Sequence, residues 1–297
     1  MNSFLEHRTR AENYPEIPLG RGPAANLVPY MKGATDLKRP LMVNSETVVR
    51  QNFGNEQYAK CATALNILRE TVMGPELFDK AFKEYSQRWA FKHPKPADFF
   101  RSMEDASAVD LDWFWRGWYY STDNVDMTVD KVKWFKVKTE KTNLEGKEKN
   151  VTTKDLATGN SDKAVNDFSN GPTYITVLPT NDRFYGEFRS RIDDKAIINK
   201  LEDKNIYEVT ISNKGGLVMP VIIEWTYKDG SKEIDRIPAE IWRLNENKFT
   251  KSFAKSKEVV SVSVDPMKET TDVNTDDNVF PRAAQPSKFE ELKKKSN

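Results

Sequence analysis

One long amphipathic segment, NFGNEQYAKCATALNILRETVMG (residues 52–74), constrains the fold of this chain more than any other feature. Its apolar residues recur at the i, i+3, i+4, i+7 spacing of a helix with one buried stripe. Asn55 is placed to cap the start of this helix, Gly74 to close it, and Pro75 to begin another. By pattern alone, Tyr58 is an ordinary anchoring aromatic in the first turn. The predicted stripe consists of Tyr58, Cys61, Ala62, Leu65, Leu68 and Val72.

Residues 1–122 are predicted to form an all-α block around this helix. Residues 2–10 indicate a short helix, and residues 13–39, rich in proline and glycine, indicate an irregular but packed segment. Apolar residues recur at helical spacing over residues 75–91 and 96–107 and again after Asp110, which is placed as a helix cap. Consecutive helices with short connections must pack on one another.

The hydrophobic period changes from that of a helix to that of a strand after residue 122. Residues 127–137, 206–212 and 259–264 alternate between apolar and polar side chains, as half-buried strands do, and residues 217–227 indicate a long apolar strand. Asp229-Gly230 predicts a hairpin with a type I′ turn. Residues 123–297 are therefore predicted to form a β-rich domain with an antiparallel β-sandwich at about 201–270. A mobile insertion is expected at about 140–170 and an exposed tail after residue 272.

Composition excludes several functional classes. The 38% hydrophobic content and net charge of +1 show neither a basic nucleic-acid footprint nor an acidic tail. No apolar run approaches the roughly 20 residues that a transmembrane helix needs. The first residues lack the apolar core of a signal peptide, so the sequence leaves the compartment undetermined. One cysteine, Cys61, excludes an intrachain disulfide and a multi-cysteine metal site.

Three segments resemble one known family. Tyr58-x-Lys60, followed by an apolar helix that ends at Gly74, looks like the helix after the zinc site in the aminopeptidase N family of gluzincin metallo-aminopeptidases. Cys61 departs from the glycine usual after that lysine. DLDWFWRGWYYS (residues 110–121) resembles the aromatic helix that closes the family's catalytic domain. NSFLEHRT (residues 2–9) is similar to the family segment directly after the Glu-Gly step, whose glutamate is the third zinc ligand.

The resemblance implies an α+β multidomain protein: the rear half of a metallopeptidase catalytic domain, followed by a β-sandwich. On this interpretation the chain is the C-terminal portion of a zinc enzyme that removes amino-terminal residues from peptides. Its partners would be the peptide substrate and the missing N-terminal half of the catalytic domain. The resemblance gives Tyr58 the role of hydrogen-bond donor to the oxyanion formed at the scissile carbonyl. Lys60, at the start of the helix, is predicted to be a solvated charge.

The zinc ligands of that family are not found in this sequence. A peptidase zinc site needs three protein ligands and an open position for water. In the family that the chain resembles, these ligands are the two histidines of H-E-x-x-H and a glutamate further on. Only His7 and His93 occur, and both are predicted to lie on the surface. The chain alone is therefore expected to bind no catalytic Zn²⁺ and to be inactive.

Other candidate sites have simpler structural explanations. The paired carboxylates, Glu104 with Asp105 and Asp110 with Asp112, are predicted to be solvated or to cap helices. The aromatic residues of 113–120 fit a core and domain interface better than a ligand platform. DVNTDD (residues 272–277) lacks the glycine and terminal glutamate of an EF-hand loop.

Two rival functions remain open at the level of sequence. A non-catalytic helical and β-sandwich interaction module would show a well-packed helical block without an exposed apolar groove near Phe4, Leu5 and Tyr58. One half of a split peptidase would have a separate partner polypeptide that carries H-E-x-x-H.

Overall fold

The computed structural model describes residues 1–16, 20–48, 50–137, 150–152, 172–176, 200–201 and 204–282. A block of α-helices comes first along the described residues and strands predominate after it, so the predicted α+β class is confirmed. The α-helices are α1 (Asn2–Asn13), α2 (Ala24–Lys32), α3 (Cys61–Ile67), α4 (Pro75–Trp89), α5 (Pro96–Ser107) and α6 (Asp112–Tyr120). No helix within these ranges has the length and apolar content needed to cross a bilayer.

The central helix spans residues 54–73 and confirms the strongest prediction. It consists of a π-helical part, Gly54–Lys60, then α3, then a second π-helical part, Leu68–Met73. Gly74 ends it with a φ of 83°, and Pro75 is the first residue of α4, as predicted. The prediction that Asn55 caps this helix was wrong, because the helix begins upstream at Gly54 and Asn55 lies inside its first turn.

Helix α2 lies within the segment that was predicted to be irregular. Pro29 is inside this helix, where the missing N–H and the ring normally disfavour helical structure. Leu27 and Met31 are buried one turn apart, and their burial offsets that cost. The expectation that this segment packs against the rest of the protein is confirmed. The expectation that its backbone is irregular was wrong for α2.

Two sheets follow the helices. The strands are β1 (Met127–Val137), β2 (Asn150–Thr152), β3 (Thr173–Thr176), β4 (Asn205–Asn213), β5 (Val221–Tyr227), β6 (Lys232–Ile237), β7 (Lys248–Lys255), β8 (Val259–Val264) and β9 (Val279–Phe280). One sheet has the order β2-β3-β1-β4-β7 and the other the order β6-β5-β8-β9. Most pairs are antiparallel, but β3 runs parallel to both β1 and β2.

Aromatic side chains join the two sheets. In β4, Tyr207 opposes Phe253 of β7, and both rings approach Trp225 of β5, with centroids 5.9 and 5.0 Å away. Tyr207 and Trp225 are fully buried. The contact places the inner faces of the two sheets against each other, which supports the predicted sandwich. The first sheet extends beyond the predicted range of about 201–270, since β1 is one of its members.

The hairpin between β5 and β6 forms where it was predicted, but its turn differs. Gly230 has a φ of 80°, whereas Asp229 is not in the left-handed region that a type I′ turn requires at both central residues. The Tyr227 N–H donates to the Ser231 carbonyl oxygen at 2.9 Å. Asp229 instead accepts hydrogen bonds from the backbone and hydroxyl of Ser231, which holds the loop in a conformation with one left-handed residue.

The predicted exposed tail after residue 272 was wrong for the part that the structure describes. Val273, Asp277 and Asn278 are buried, and β9 pairs with β8. Buried polar groups in this stretch bond to β1, as in the Thr128 hydroxyl that donates to Asp277 Oδ2 at 2.8 Å. Residues 283–297 and most of the predicted insertion at about 140–170 lie outside the described residues.

Asp272 makes the stability of this region depend on pH. Its carboxylate accepts hydrogen bonds from the backbone N–H groups of Met127 and Asn274 and from the side-chain amide of Asn278. Burial, with a smaller contribution from the charge of Asp126, nevertheless raises the pKa of Asp272 to about 6 from 3.8. The folded state therefore holds this proton more tightly than the unfolded state does.

We expect the Asp272 contribution to folding to decline as pH rises from about 4 to about 6, because the unfolded state loses this proton near pH 4 whereas the folded state keeps it until about pH 6. The free energy of unfolding of wild type minus that of Asp272→Asn should fall over this interval and level off above it. Urea titrations followed by tryptophan fluorescence at several pH values measure this difference. A difference that is constant with pH would contradict the prediction.

Helix α6 connects the helical block to the sheets. Trp115, Trp118 and Tyr119 are buried, as predicted for a core and interface, whereas Tyr120 is exposed. A Cβ atom at Gly117 would lie 2.8 Å from Leu217 Cδ1, so the glycine permits the close approach of α6 to the segment before β5. Buried apolar residues of both regions form one contiguous cluster. The domain division at residue 122 stays a prediction.

Candidate functional site

Tyr58 projects from the first π-helical part of the central helix to the surface. Its side chain is 43% exposed, in contrast to the buried stripe predicted for it. Phe53 packs edge-on against its ring with centroids 5.7 Å apart. The guanidinium of Arg21 lies over the same ring, with Cζ 4.9 Å from the centroid. A cation over an aromatic face is an attractive arrangement, so these two neighbours orient an otherwise accessible phenol.

Lys60 lies on the opposite, inward side of the same turn. The prediction that it is a solvated charge was wrong, because Lys60 is only 1% exposed and its Nζ donates to the Ser121 carbonyl oxygen at 3.0 Å. Burial lowers the pKa of Lys60 to about 8, although the negative charges of Glu56 and Asp123 oppose that shift. This hydrogen bond ties the helical turn that bears Tyr58 to the residue that follows α6.

Glu56 anchors the turn from a second direction. It is fully buried, and its Oε1 accepts hydrogen bonds from the Tyr30 hydroxyl at 3.3 Å and the Arg39 backbone N–H at 2.9 Å. Burial and the nearby carboxylate raise the pKa of Tyr30 well above its usual value, so its hydroxyl remains a donor. Glu56 was not predicted from the sequence. Its i, i+4 spacing from Lys60 was the signal that could have identified it.

His7 is buried rather than on the surface, so that prediction was wrong too. Burial and the positive charge of Arg8 lower the pKa of His7, which favours the neutral imidazole. The imidazole packs against Gly22, where a Cβ atom would lie 2.5 Å from His7 Cγ. Only a glycine permits this contact, and Gly22 also has a φ of 117°. The contact fixes the segment that carries Arg21, and Arg21 Nη1 donates to Ser3 Oγ at 3.3 Å.

We expect Gly22→Ala to destabilise the fold by about 1–3 kcal/mol, because the added methyl group would collide with the imidazole of His7 and force a positive φ on alanine. Thermal denaturation measures the loss. Gly20→Ala is the matched control, since a Cβ atom there meets nothing within 4 Å. Equal midpoints for the two variants would contradict the predicted contact.

A mainly apolar groove of about 290 Å³ lies beside the central helix. Cys61 contributes to its wall and its Sγ lies 3.9 Å from the Tyr119 hydroxyl. Gln57, next to Tyr58 in sequence, also lines it. The apolar groove is formed chiefly by Met1, Leu41, Met42, Leu65, Phe99 and Phe100.

The residues of this chain do not fit the zinc site that the resemblance implies. The sequence holds no H-E-x-x-H, and its second histidine, His93, is exposed as predicted. Among the described residues, ligand atoms of one acidic group approach within 4.8 Å of one another: Glu104, Asp110 and Asp112. Glu104 Oε1 accepts a hydrogen bond from the Leu111 N–H, and Asp110 Oδ1 accepts one from the Asp112 N–H. The prediction that Asp110 is the cap of α6 was wrong, because Leu111 occupies the N-cap position and no side chain makes a cap hydrogen bond there.

The structure also accounts for the remaining acidic candidates. Asp272 and Asp277 of the DVNTDD segment serve as acceptors for β1 and its surroundings. Asp105 Oδ2 accepts a hydrogen bond from Arg88 at 3.3 Å on the surface. Within the described residues, none of these acidic groups contacts Tyr58. The site around Tyr58 therefore consists of an exposed phenol, an exposed cation and a buried polar anchor.

Comparison with known proteins supports the resemblance. Residues 25–118 match the model of the peptidase family M1 domain, a segment that includes the central helix, α4, α5 and most of α2 and α6. A search of curated proteins found no match. Family M1 consists of metallo-aminopeptidase-type proteins, and Tyr58 and Lys60 lie within the matched segment. The predicted resemblance to the aminopeptidase N family is thereby confirmed over residues 25–118.

Proposed function

We propose that this chain forms part of a metallo-aminopeptidase whose metal ligands are supplied by polypeptide other than the present sequence. The family match supports the reaction class, the hydrolysis of an amino-terminal residue from a peptide. The observation that carries the proposal is the position of Tyr58, which is exposed at the surface while Glu56 and Lys60 hold its helical turn from inside. Such support pre-organises a side chain for contact with a substrate.

Tyr58 would donate a hydrogen bond from its hydroxyl to the oxyanion of the tetrahedral intermediate. A phenol is a hydrogen-bond donor at neutral pH, and a donor held in place pays no reorganisation cost as the charge develops. The residues of this chain would therefore position the substrate and stabilise the transition state. The Zn²⁺ of the complete enzyme would supply Lewis-acid chemistry. On its own the chain is proposed to be inactive.

The apolar groove supports this proposal over a self-contained interaction module. A complete scaffold would cover its apolar helix faces, whereas Leu5 and Tyr58 are exposed and the groove opens beside Cys61. Phe4, in contrast, is buried, as the interaction module would also require. A polypeptide that completes the catalytic domain would bury these surfaces. The split-peptidase alternative shares this expectation and differs only in whether the two halves are one polypeptide or two.

Reconstitution tests the proposal. Zinc content and hydrolysis of a leucine anilide would be measured for the chain alone, for a polypeptide carrying H-E-x-x-H and the third glutamate, and for their mixture. We expect neither component to be active and the mixture to bind one zinc per complex and to hydrolyse the substrate. Stoichiometric zinc or activity in the chain alone, or an inactive mixture that nevertheless forms a complex, would overturn the proposal.

A further inference from the structure

Arg21 presents a cation at the edge of the Tyr58 site. It is exposed, its Cζ lies 4.9 Å from the centre of the Tyr58 ring, and Ser3 Oγ accepts a hydrogen bond from its Nη1. A polar pocket of about 190 Å³ adjoins it. The pocket is lined by Ser3, Glu6, His7, Arg10, Gly20 and Arg21. The guanidinium therefore stands between a small polar pocket and the proposed hydrogen-bond donor.

The charge of Arg21 is not compensated within the described part of the chain. Glu6 lines the same pocket, but it pairs with Arg10 at 2.9 Å. Arg8 is likewise paired, with Glu70 at 2.8 Å. No carboxylate among the described residues lies within ion-pair distance of the Arg21 guanidinium, whose protein hydrogen-bond acceptor here is a neutral hydroxyl. Most of its N–H donors remain available to a ligand, because a guanidinium carries five.

The backbone that carries Arg21 is held in place. Gly22 packs on the buried imidazole of His7, and Pro23 leads directly into α2, whose Ala24 is buried. Arg21 is thus fixed on one side by this contact and on the other by its position over Tyr58. A cation whose position is fixed before binding loses less conformational entropy when it binds.

We propose that Arg21 binds a carboxylate located one residue beyond the scissile bond of a peptide substrate. This inference rests on the proposed function, since Tyr58 then marks the position of the reacting carbonyl. The guanidinium Cζ lies 4.9 Å from the centre of the Tyr58 ring, and consecutive Cα atoms of a peptide lie about 3.8 Å apart. A substrate whose reacting carbonyl lies at the phenol therefore brings its next residue to the vicinity of Arg21. Guanidinium binds carboxylate through two parallel charge-assisted hydrogen bonds. The substrates so recognised are dipeptides through their C-terminal carboxylate, or longer peptides with an acidic residue at that position.

Binding of small peptides to the full chain tests this inference without the need for catalysis. Leu-Gly, its C-terminal amide and Leu-Asp amide would be titrated against the chain by ligand-detected NMR. We expect Leu-Gly to bind about tenfold more tightly than its amide, as one charge-assisted interaction permits. Leu-Asp amide separates the two sources of the carboxylate: tight binding assigns a side-chain carboxylate, and weak binding assigns the chain terminus.

Arg21→Gln should abolish the preference for the free acid, and the variant should keep the wild-type melting temperature because Arg21 is exposed. Arg10→Gln is the matched control, since Arg10 lines the same pocket but is neutralised by Glu6, and it should keep the preference. Equal binding of acid and amide, no binding of either, or an unchanged preference in Arg21→Gln would overturn the inference.

The two proposals fail in different experiments. A preference for the free acid that depends on Arg21, together with an inactive reconstituted complex, would leave the carboxylate-binding site standing and reject the peptidase. An active complex without that preference would retain the peptidase and reject the role of Arg21.

Discussion

Tyr58→Phe is expected to lower kcat of the reconstituted peptidase by about 10²–10³-fold, because it removes one donor to the oxyanion. The substitution deletes a single oxygen atom from a side chain that is 43% exposed, so folding should be unaffected. The ring remains and keeps its packing with Phe53 and the contact with Arg21. If the interaction is made only in the transition state, kcat and kcat/KM should fall together while KM stays constant.

Tyr120→Phe is the matched control for this experiment. Tyr120 is also an exposed tyrosine, at 54%, and it lies at the end of α6 instead of on the central helix. Its substitution should leave kcat within about twofold of wild type, since a surface hydroxyl away from the site contributes little. Similar rates for Tyr58→Phe and wild type would remove Tyr58 from the mechanism.

Trp118→Ala should produce the largest loss of stability, about 3–5 kcal/mol, which approaches the total stability of many domains. Trp118 is fully buried in α6, and its ring contacts that of Phe114 with centroids 5.9 Å apart. Removing the indole would leave a cavity within the contiguous apolar cluster. Chemical denaturation followed by far-ultraviolet circular dichroism measures the change.

The control for this loss is again on α6. Tyr120→Ala removes an aromatic side chain of comparable size that is mostly exposed, and it should cost less than about 1 kcal/mol. Comparable losses of stability for the two variants would contradict this prediction. They would mean that the effect comes from the helix propensity of the substituted positions and not from the burial of Trp118.

The sequence predicted best those elements whose evidence is local. The apolar spacing of the central helix, with Gly74 and Pro75 at its end, and the alternation in β1 were sufficient to identify both elements. Helix α2 was missed because Pro29 and the surrounding glycines normally indicate a loop. Its buried face is stabilised by contacts with the central helix, which only the folded structure reveals.

Burial of ionisable residues was predicted least well. Lys60 and His7 appeared to be solvent-exposed, yet both are buried by segments distant in sequence. The partner of Lys60 is the Ser121 carbonyl, 61 residues away, and no periodic pattern encodes such a hydrogen bond. The position of Arg21 over Tyr58 has the same origin, because it depends on how the segment before α2 packs on α1.

The single apolar cluster that includes α6 and both sheets has a consequence for inherited or engineered variation. Because the two regions share one apolar core, a substitution that destabilises the strands should also destabilise the helices. Calorimetry should therefore record one melting transition instead of two. A substitution at Trp225, in β5, would then reduce the fraction of molecules with an intact Tyr58 surface without touching it. Loss-of-function variants that affect abundance should therefore be scattered along the sheets as well as around the site.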